Sequence, residues 1–286
     1  MIRKELIIVI GVLVIAFAGI AIMKHLNRAG QSGGDSQEMK SHTLPTFWTY
    51  YNKATQERLL GSTDSSIADY QKALILNPVH EDALYYLGNT FLRAGLLDSA
   101  RKRWEDLIGV NPQSERAYYQ MGNLFFCVSH PDFFHPGKAV AYFQRASELN
   151  RESMNPGVRL GEIALFQNRL PEAFGIISKI PDQKNAELFF VKGYLNWKLG
   201  HQKMAIMEIG KTLELKGLKI AYDEGGKAVL SKKGSSGYSQ ECSLYQFWID
   251  HDLILPPQKD SVKMTADIYR SFDQYLSSRR TQLNAQ

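Results

Sequence analysis

The sequence predicts an all-α chain: about five helix-turn-helix repeats and a helical C-terminal cap, preceded by one transmembrane helix. Three observations predict it: an apolar run near the N-terminus, a Gly/Ser/Gln-rich stretch behind it, and a self-similarity recurring every thirty-four residues. Composition excludes several alternatives. The 286 residues are 44% hydrophobic and 22% charged, which is ordinary for a folded chain. The net charge is +5, and residues 1–45 hold five Lys/Arg against three Asp/Glu, leaving 29 against 26 for the rest. So diffuse a surplus is no nucleic-acid footprint. Two cysteines, Cys127 and Cys242, exclude a disulfide scaffold and a multi-Cys metal site, and both are expected as buried thiols.

Leu6 to Met23 are eighteen consecutive uncharged residues rich in Ile, Val and Leu. As a helix they reach about 27 Å, close to the hydrocarbon thickness of a bilayer. An uncleaved single-pass anchor is therefore expected over residues 6–23. The alternative is a cleaved signal peptide, with Arg3 and Lys4 as the basic region and Ala16-Phe17-Ala18 as the cleavage site. Apolar residues continuing past Ala18 to Met23 argue for the anchor. An anchor at the extreme N-terminus inserts most simply with its short end in the cytoplasm. The expected location is thus the bacterial cytoplasmic membrane, with the folded body extracytoplasmic. Residues 24–45 are polar, with Gly, Ser and Gln dominant from Asn27 onward, and read as a flexible linker.

The repeat is visible when Glu81-Asp-Ala-Leu-Tyr-Tyr-Leu-Gly-Asn-Thr-Phe91 is aligned with Glu115-Arg-Ala-Tyr-Tyr-Gln-Met-Gly-Asn-Leu-Phe125. Glu, Ala, Tyr, Gly, Asn and Phe coincide at an offset of thirty-four. That period with these residue types resembles the tetratricopeptide repeat (TPR) family. The resemblance implies a right-handed α-solenoid in which small residues at positions 8 and 20 let two helices approach. Large residues at positions 4, 7, 11 and 24 then fill the seam between them. Residues 81–114 match best, with Leu84, Leu87, Gly88, Phe91, Ala100, Trp104 and Pro112 in place. Residues 47–80 match with Tyr50, Ala54, Ser66, Tyr70, Ala73 and Pro78, but Lys53 and Glu57 stand at apolar positions. Residues 115–153 match after an insertion of about five residues, Ser129 to Pro136 being the inserted loop. Residues 154–185 carry Gly157 and Ala164 where bulk is expected. Residues 186–219 carry Lys192 and Asn196 where apolar residues are expected.

Residues 220–286 read as a degenerate repeat and a helical cap. A sixth repeat could start near Leu218, a helix is expected over 243–255, and a long amphipathic helix runs from Ser261 to Arg280. Val262, Ala266, Tyr269, Phe272 and Leu276 form its apolar stripe, and Arg270, Asp273 and Arg279 fall on other sides. A solenoid needs such a helix to cover its last apolar face.

The resemblance also implies a concave face lined by the first helix of each repeat. It places Trp48 and Tyr51 there in the first repeat and Tyr85, Asn89 and Arg93 in the second. The third contributes Arg116, Tyr119, Asn123 and Phe126, and the fifth contributes Phe190, Tyr194 and Trp197. Rigid aromatics with interspersed Asn and Arg suit a peptide ligand. Some family members grip a terminal carboxylate through Lys, Asn and Arg. Asn89, Asn123 and Arg159 match that set, but Tyr85 and Asn155 replace its two lysines, which removes most of the attraction. His130, Asp132 and His135 in the inserted loop match no standard zinc spacing. No cofactor is implied, and no P-loop, dinucleotide fingerprint or HExxH motif occurs. The expectation is a membrane-anchored scaffold or adaptor that binds protein or peptide, is not an enzyme and takes no nucleic acid. One alternative is a periplasmic assembly or secretion accessory factor holding client chains. Another is an enzyme using Asp250, His251 and Asp252.

Overall fold

The computed structural model describes residues 46–127, 130, 132–182, 184–215, 219–222, 228–231 and 261–284. The apolar run Leu6–Met23, the linker 24–45, the helix expected over 243–255, Cys242 and Asp250 to Asp252 lie outside the described residues. Among the described residues, no helix is long and apolar enough to cross a membrane.

Among the described residues, five helix pairs follow one another. They are α1 (46–59) and α2 (Thr63–Leu76), α3 (Glu81–Arg93) and α4 (Leu97–Val110), and α5 (Glu115–Cys127) and α6 (Pro136–Leu149). Next come α7 (Asn155–Phe166) and α8 (Leu170–Ile177), then α9 (Ala186–Lys198) and α10 (Gln202–Leu215). Two short strands, β1 (Lys219–Tyr222) and β2 (Ala228–Ser231), and a last helix, α11 (Ser261–Asn284), follow them. Contacts divide the chain into one unit ending at Ala83 and another beginning at Leu84, a border inside α3.

Four of the five turns within a pair use one device. Gly61, Gly95, Asn168 and Gly200 all have positive φ, and each stands fifteenth in its repeat. At the second turn the Leu96 N–H donates to the Phe91 carbonyl and the Gly95 N–H to the Leu92 carbonyl. The same two bonds recur at Ser62 and Gly61, at Arg169 and Asn168, and at His201 and Gly200. This motif satisfies the last carbonyls of a helix and demands a residue that tolerates a left-handed backbone, for which Asn is the best substitute for Gly. The third pair carries the inserted loop instead. There the His135 N–H reaches back to the Phe125 carbonyl at 2.8 Å, and His135 precedes a helix opened by Pro136.

In the second, third and fourth pairs the seam rests on a small residue under a large one. A Cβ added to Gly88 would collide with the Trp104 indole, and one added to Gly122 would lie 2.6 Å from Phe143 Cε1. Trp104 and Phe143 are completely buried. In the fourth pair Ile177 covers Gly161, and Ile180 reaches over Gly157, restoring bulk that the repeat pattern lacks there. The lysines at apolar positions are explained by ion pairs. Lys53 Nζ lies 2.6 Å from the buried Asp69 carboxylate, which Lys72 also holds at 2.8 Å. Lys192 bonds Asp182 at 2.5 Å and the Ile180 carbonyl at 3.0 Å.

Among the described residues, the C-terminal region adds two short paired strands to the helices. β1 and β2 pair antiparallel with Lys219 opposite Ser231, so residues 219–222, beside the expected start of a sixth repeat, are extended. The intervening sequence holds Gly225-Gly226, and Val, Ile and Tyr flank it, a hairpin composition. α11 packs on α9 and α10, burying Ile268, Tyr269, Phe272 and Leu276.

Replacing Trp104 by Ala leaves Gly88 facing a void. We expect it to lower unfolding free energy by about 3–5 kcal/mol, read from urea denaturation followed by circular dichroism. Loss below about 1 kcal/mol would show that the seam does not hold the second pair together.

Candidate protein-binding face

The first helix of each pair carries the residues expected to meet a partner. In the unit ending at Ala83, Trp48 and Tyr51 belong to an aromatic cluster with Phe47 and His80. Trp48 stands perpendicular to both Tyr51 and His80, with centroids 5.5 and 5.6 Å apart. Phe47 is buried beneath them, and Trp48 is 48% exposed, so its ring presents an apolar surface to solvent. Tyr70 anchors the lower side, its hydroxyl 3.0 Å from Thr55 Oγ1.

In the second unit the structure brings α3 and α5 together through side chains. The Arg116 guanidinium sits 4.7 Å from the Tyr85 ring centroid, a cation–π contact. Gln120 Nε2 donates to the Tyr85 hydroxyl at 3.2 Å, and Asn123 Nδ2 donates to Gln120 Oε1 at 3.3 Å. Gln120 is absent from the sequence-predicted site residues because it stands outside the concave-face positions and carries no cation where carboxylate-gripping relatives place one, as Arg159 does in the next repeat. Its length and its amide between two polar neighbours are the signal that could have found it. The half-buried Asn89 has an Oδ1 that is buried and accepts no hydrogen bond among the described residues. Such an acceptor costs about 1–3 kcal/mol while it is unpaired. Tyr85, Asn89, Arg93, Arg116 and Tyr119 are all partly exposed.

Other expected contacts are not open. Asn123 is buried under its bonds to Gln120 and to the Cys127 thiol, whose Sγ lies 3.8 Å from Asn123 Oδ1. Phe126 is buried beside Phe166 and Phe134, so one inserted phenylalanine packs against the helix ends, and Phe133 is buried as well. Arg159 is buried between Glu162 at 2.5 Å and Glu187 at 3.3 Å. Burial opposes its charge, yet the two carboxylates outweigh burial and hold the guanidinium firmly protonated. Both charges on Glu162 and Glu187 already face Arg159, so Arg159 is no carboxylate receptor. Removing one member of such a pair strands the other and typically costs about 3–5 kcal/mol.

Phe190, Tyr194 and Trp197 are covered by α11. Phe272 stands edge-on to Phe190 at 4.9 Å and to Tyr194 at 5.0 Å, and Tyr269 lies 6.1 Å from Trp197. The Tyr194 hydroxyl donates to Asp273 at 2.7 Å, and Lys198 Nζ adds an ion pair at 2.8 Å. Arg280 donates to the main-chain carbonyls of Phe166 and Leu165 at 2.5 and 3.0 Å, capping the end of α7. Asp273 therefore does not fall on an outer side of the helix but sits at the edge of its apolar stripe. Among the described residues, no group of three His, Cys, Asp or Glu side chains could hold a metal ion.

The fold so described is that of TPR proteins. No family model and no curated protein matches the sequence. Solved structures do. The Pseudomonas aeruginosa pilF protein aligns with a TM-score of 0.52 at 13% identity, over 83% of this chain and 93% of its own. The thermophilic TPR protein TTC0263 of Thermus thermophilus aligns at 0.47 and 19% identity, over 60% and 92%. A TPR protein of Parabacteroides merdae aligns at 0.46 and 18%, over 68% and 76%. The alignment with pilF, at so low an identity, establishes likeness of fold alone.

Burial opposes the Asp273 charge, but hydrogen bonds from Lys198 and Tyr194 prevail and hold its carboxyl below the ordinary range. A carboxylate depressed in the folded state stabilises above its unfolded pKa and loses that contribution as pH falls through the folded value. Docking of α11 should therefore be constant above about pH 4 and loosen below it. Protection factors of the amides of residues 261–284, their exchange rates set against the intrinsic rate at each pH, should fall below about pH 4; protection factors unchanged down to about pH 2.5 would contradict it.

Proposed function

We propose that this chain is a membrane-anchored protein–protein interaction scaffold that holds a peptide segment of a partner on the exposed side of α3 and α5. The observation that carries the reading is the arrangement around Asn89. An unpaired, buried carbonyl oxygen stands one helical turn from Tyr85, a flat ring braced by Arg116 and Gln120. An extended peptide supplies what that arrangement lacks: backbone N–H donors for Asn89 and a surface to lie on Tyr85 and Tyr119. Arg93 and Arg116 add positive charge, which favours a segment with acidic residues. The TPR fold suits this role, because stacked helix pairs present one continuous side to a ligand. No catalytic role is assigned to any described residue.

A photo-crosslinking amino acid placed at Tyr85 in native membranes should give a discrete adduct, and Asn89→Ala should reduce it at least fivefold with helicity unchanged. The same crosslinker at the exposed Lys102 should give none. Equal adducts at both positions, or an adduct indifferent to Asn89→Ala, would remove the assignment.

The membrane part of the proposal rests on the eighteen uncharged residues Leu6–Met23. The reading that follows is an anchor in the cytoplasmic membrane and a folded body outside the cytoplasm. A reporter active only outside the cytoplasm, fused after Gln286, should be active and sediment with membranes. Activity in the soluble periplasmic fraction would mean cleavage, and a silent reporter would mean the opposite orientation.

A further inference from the structure

The side of α7 and α9 that corresponds to the Tyr85 surface is already occupied, and its occupant has the form of a ligand. α11 packs against α9 and α10 and reaches the end of α7 through Arg280, burying Ile268, Tyr269, Phe272 and Leu276, the i, i+1, i+4, i+8 spacing by which an amphipathic helix fills a groove. The contacts fall on the repeat positions expected to receive partners: Phe190, Tyr194 and Trp197 on α9, and the last carbonyls of α7. Two polar anchors set its register. Asp273 lies between Tyr194 and Lys198, and Arg280 sits on Leu165 and Phe166.

The fit leaves two polar atoms of α11 without partners. Thr265 Oγ1 and the Tyr269 hydroxyl are buried without a hydrogen-bond partner among the described residues. Burial with Glu208 nearby pushes the Tyr269 phenol further from ionising, so its proton stays in place with no acceptor. Two stranded hydroxyls subtract from the apolar gain of the same helix. A helix without them, presenting the same aromatic and acidic residues, would bind this side better than α11 does.

We propose that the α7–α9 side is a helix-binding surface with α11 as its resident ligand. A partner's amphipathic helix exchanges with it, carrying two aromatics and a leucine on one face and an acid beside the second aromatic. The proposal rests on reading the first-helix side as the partner surface, and it engages residues distinct from Tyr85 and Asn89. Partner binding at α3 and α5 and helix exchange at α7 and α9 are thus separate events on one chain.

The test uses the full chain in detergent and a fluorescein-labelled peptide with the sequence of residues 261–284. Asp273→Lys in the chain sets two cations, Lys198 and the new lysine, against each other and frees the surface. The labelled peptide, which keeps its own aspartate, should bind that variant at least tenfold more tightly than the wild type. Lys198→Asp should weaken peptide binding at least tenfold, and a peptide carrying Asp273→Lys should restore it. Arg280→Ala is the milder variant should Asp273→Lys lose helicity, and it should act in the same direction. Failure of the peptide to bind either variant overturns the proposal. So does wild-type α11 whose amides exchange as slowly as those of α9, since it would then leave only on global unfolding. Peptide binding that survives Asn89→Ala while the Tyr85 crosslink is lost would show that the two surfaces stand or fall independently.

Discussion

Everything in this protein depends on how closely two helices of one pair can approach. That distance is set by what stands at the eighth position of the first helix. Gly88 lies under Trp104, Gly122 under Phe143 and Gly161 under Ile177, and a single added methyl would meet a side chain in each case. Close approach lets a large residue fill the seam alone, so a pair of short helices can bury a complete core. The tight turn with its left-handed residue follows from the same demand, since helices so close leave room for only a brief reversal. With the pair fixed, neighbouring first helices within the second unit touch, as α3 and α5 do through Tyr85, Arg116 and Gln120.

The last pair obeys the constraint by borrowing. Gly193 has the same requirement, but beside Glu208 of its own pair it is covered by Tyr269, which comes from α11. One end of α11 therefore completes a seam, while Phe272, Asp273, Leu276 and Arg280 continue across the neighbouring first helices. A terminal helix in such an array has to cover apolar surface. This one covers first-helix side chains of a kind that, at Tyr85 and Tyr119, remain partly exposed. The cost is seen in the unpaired Tyr269 hydroxyl: a tyrosine fills the space above Gly193, but no acceptor among the described residues faces its oxygen.

Polar residues at apolar positions have local causes. Lys53 and Lys192 occupy seam positions in the first and fifth repeats, and each finds a carboxylate supplied by a different element. Asp69 is almost fully buried, yet it is held below the ordinary carboxylate range by hydrogen bonds from Lys53 and Lys72, which outweigh burial. At these two positions an ionic contact takes the place of an apolar one. Arg159 shows the same substitution on the partner side, where a cation expected to receive a ligand is already neutralised by Glu162 and Glu187.

The helix pairs were legible in the sequence because seam residues recur at a fixed period and their sizes are complementary within one repeat, as with Gly88 and Trp104. The open part of the surface was legible for the same reason: Tyr85, Asn89 and Arg116 follow from position in a repeat. The β1–β2 hairpin was not, because Lys219–Tyr222 and Ala228–Ser231 are too short for periodicity to separate strand from helix. Nor was the coverage of Phe190, Tyr194 and Trp197. Those side chains have the composition of a partner surface, and whether such a surface is open depends on a helix more than sixty residues further along the chain. Local sequence determines which residues share a face of a helix, because helical geometry is local. Only the tertiary structure decides what lies against that face, because that is a competition among all apolar stripes of the chain, and α11 has one that fits.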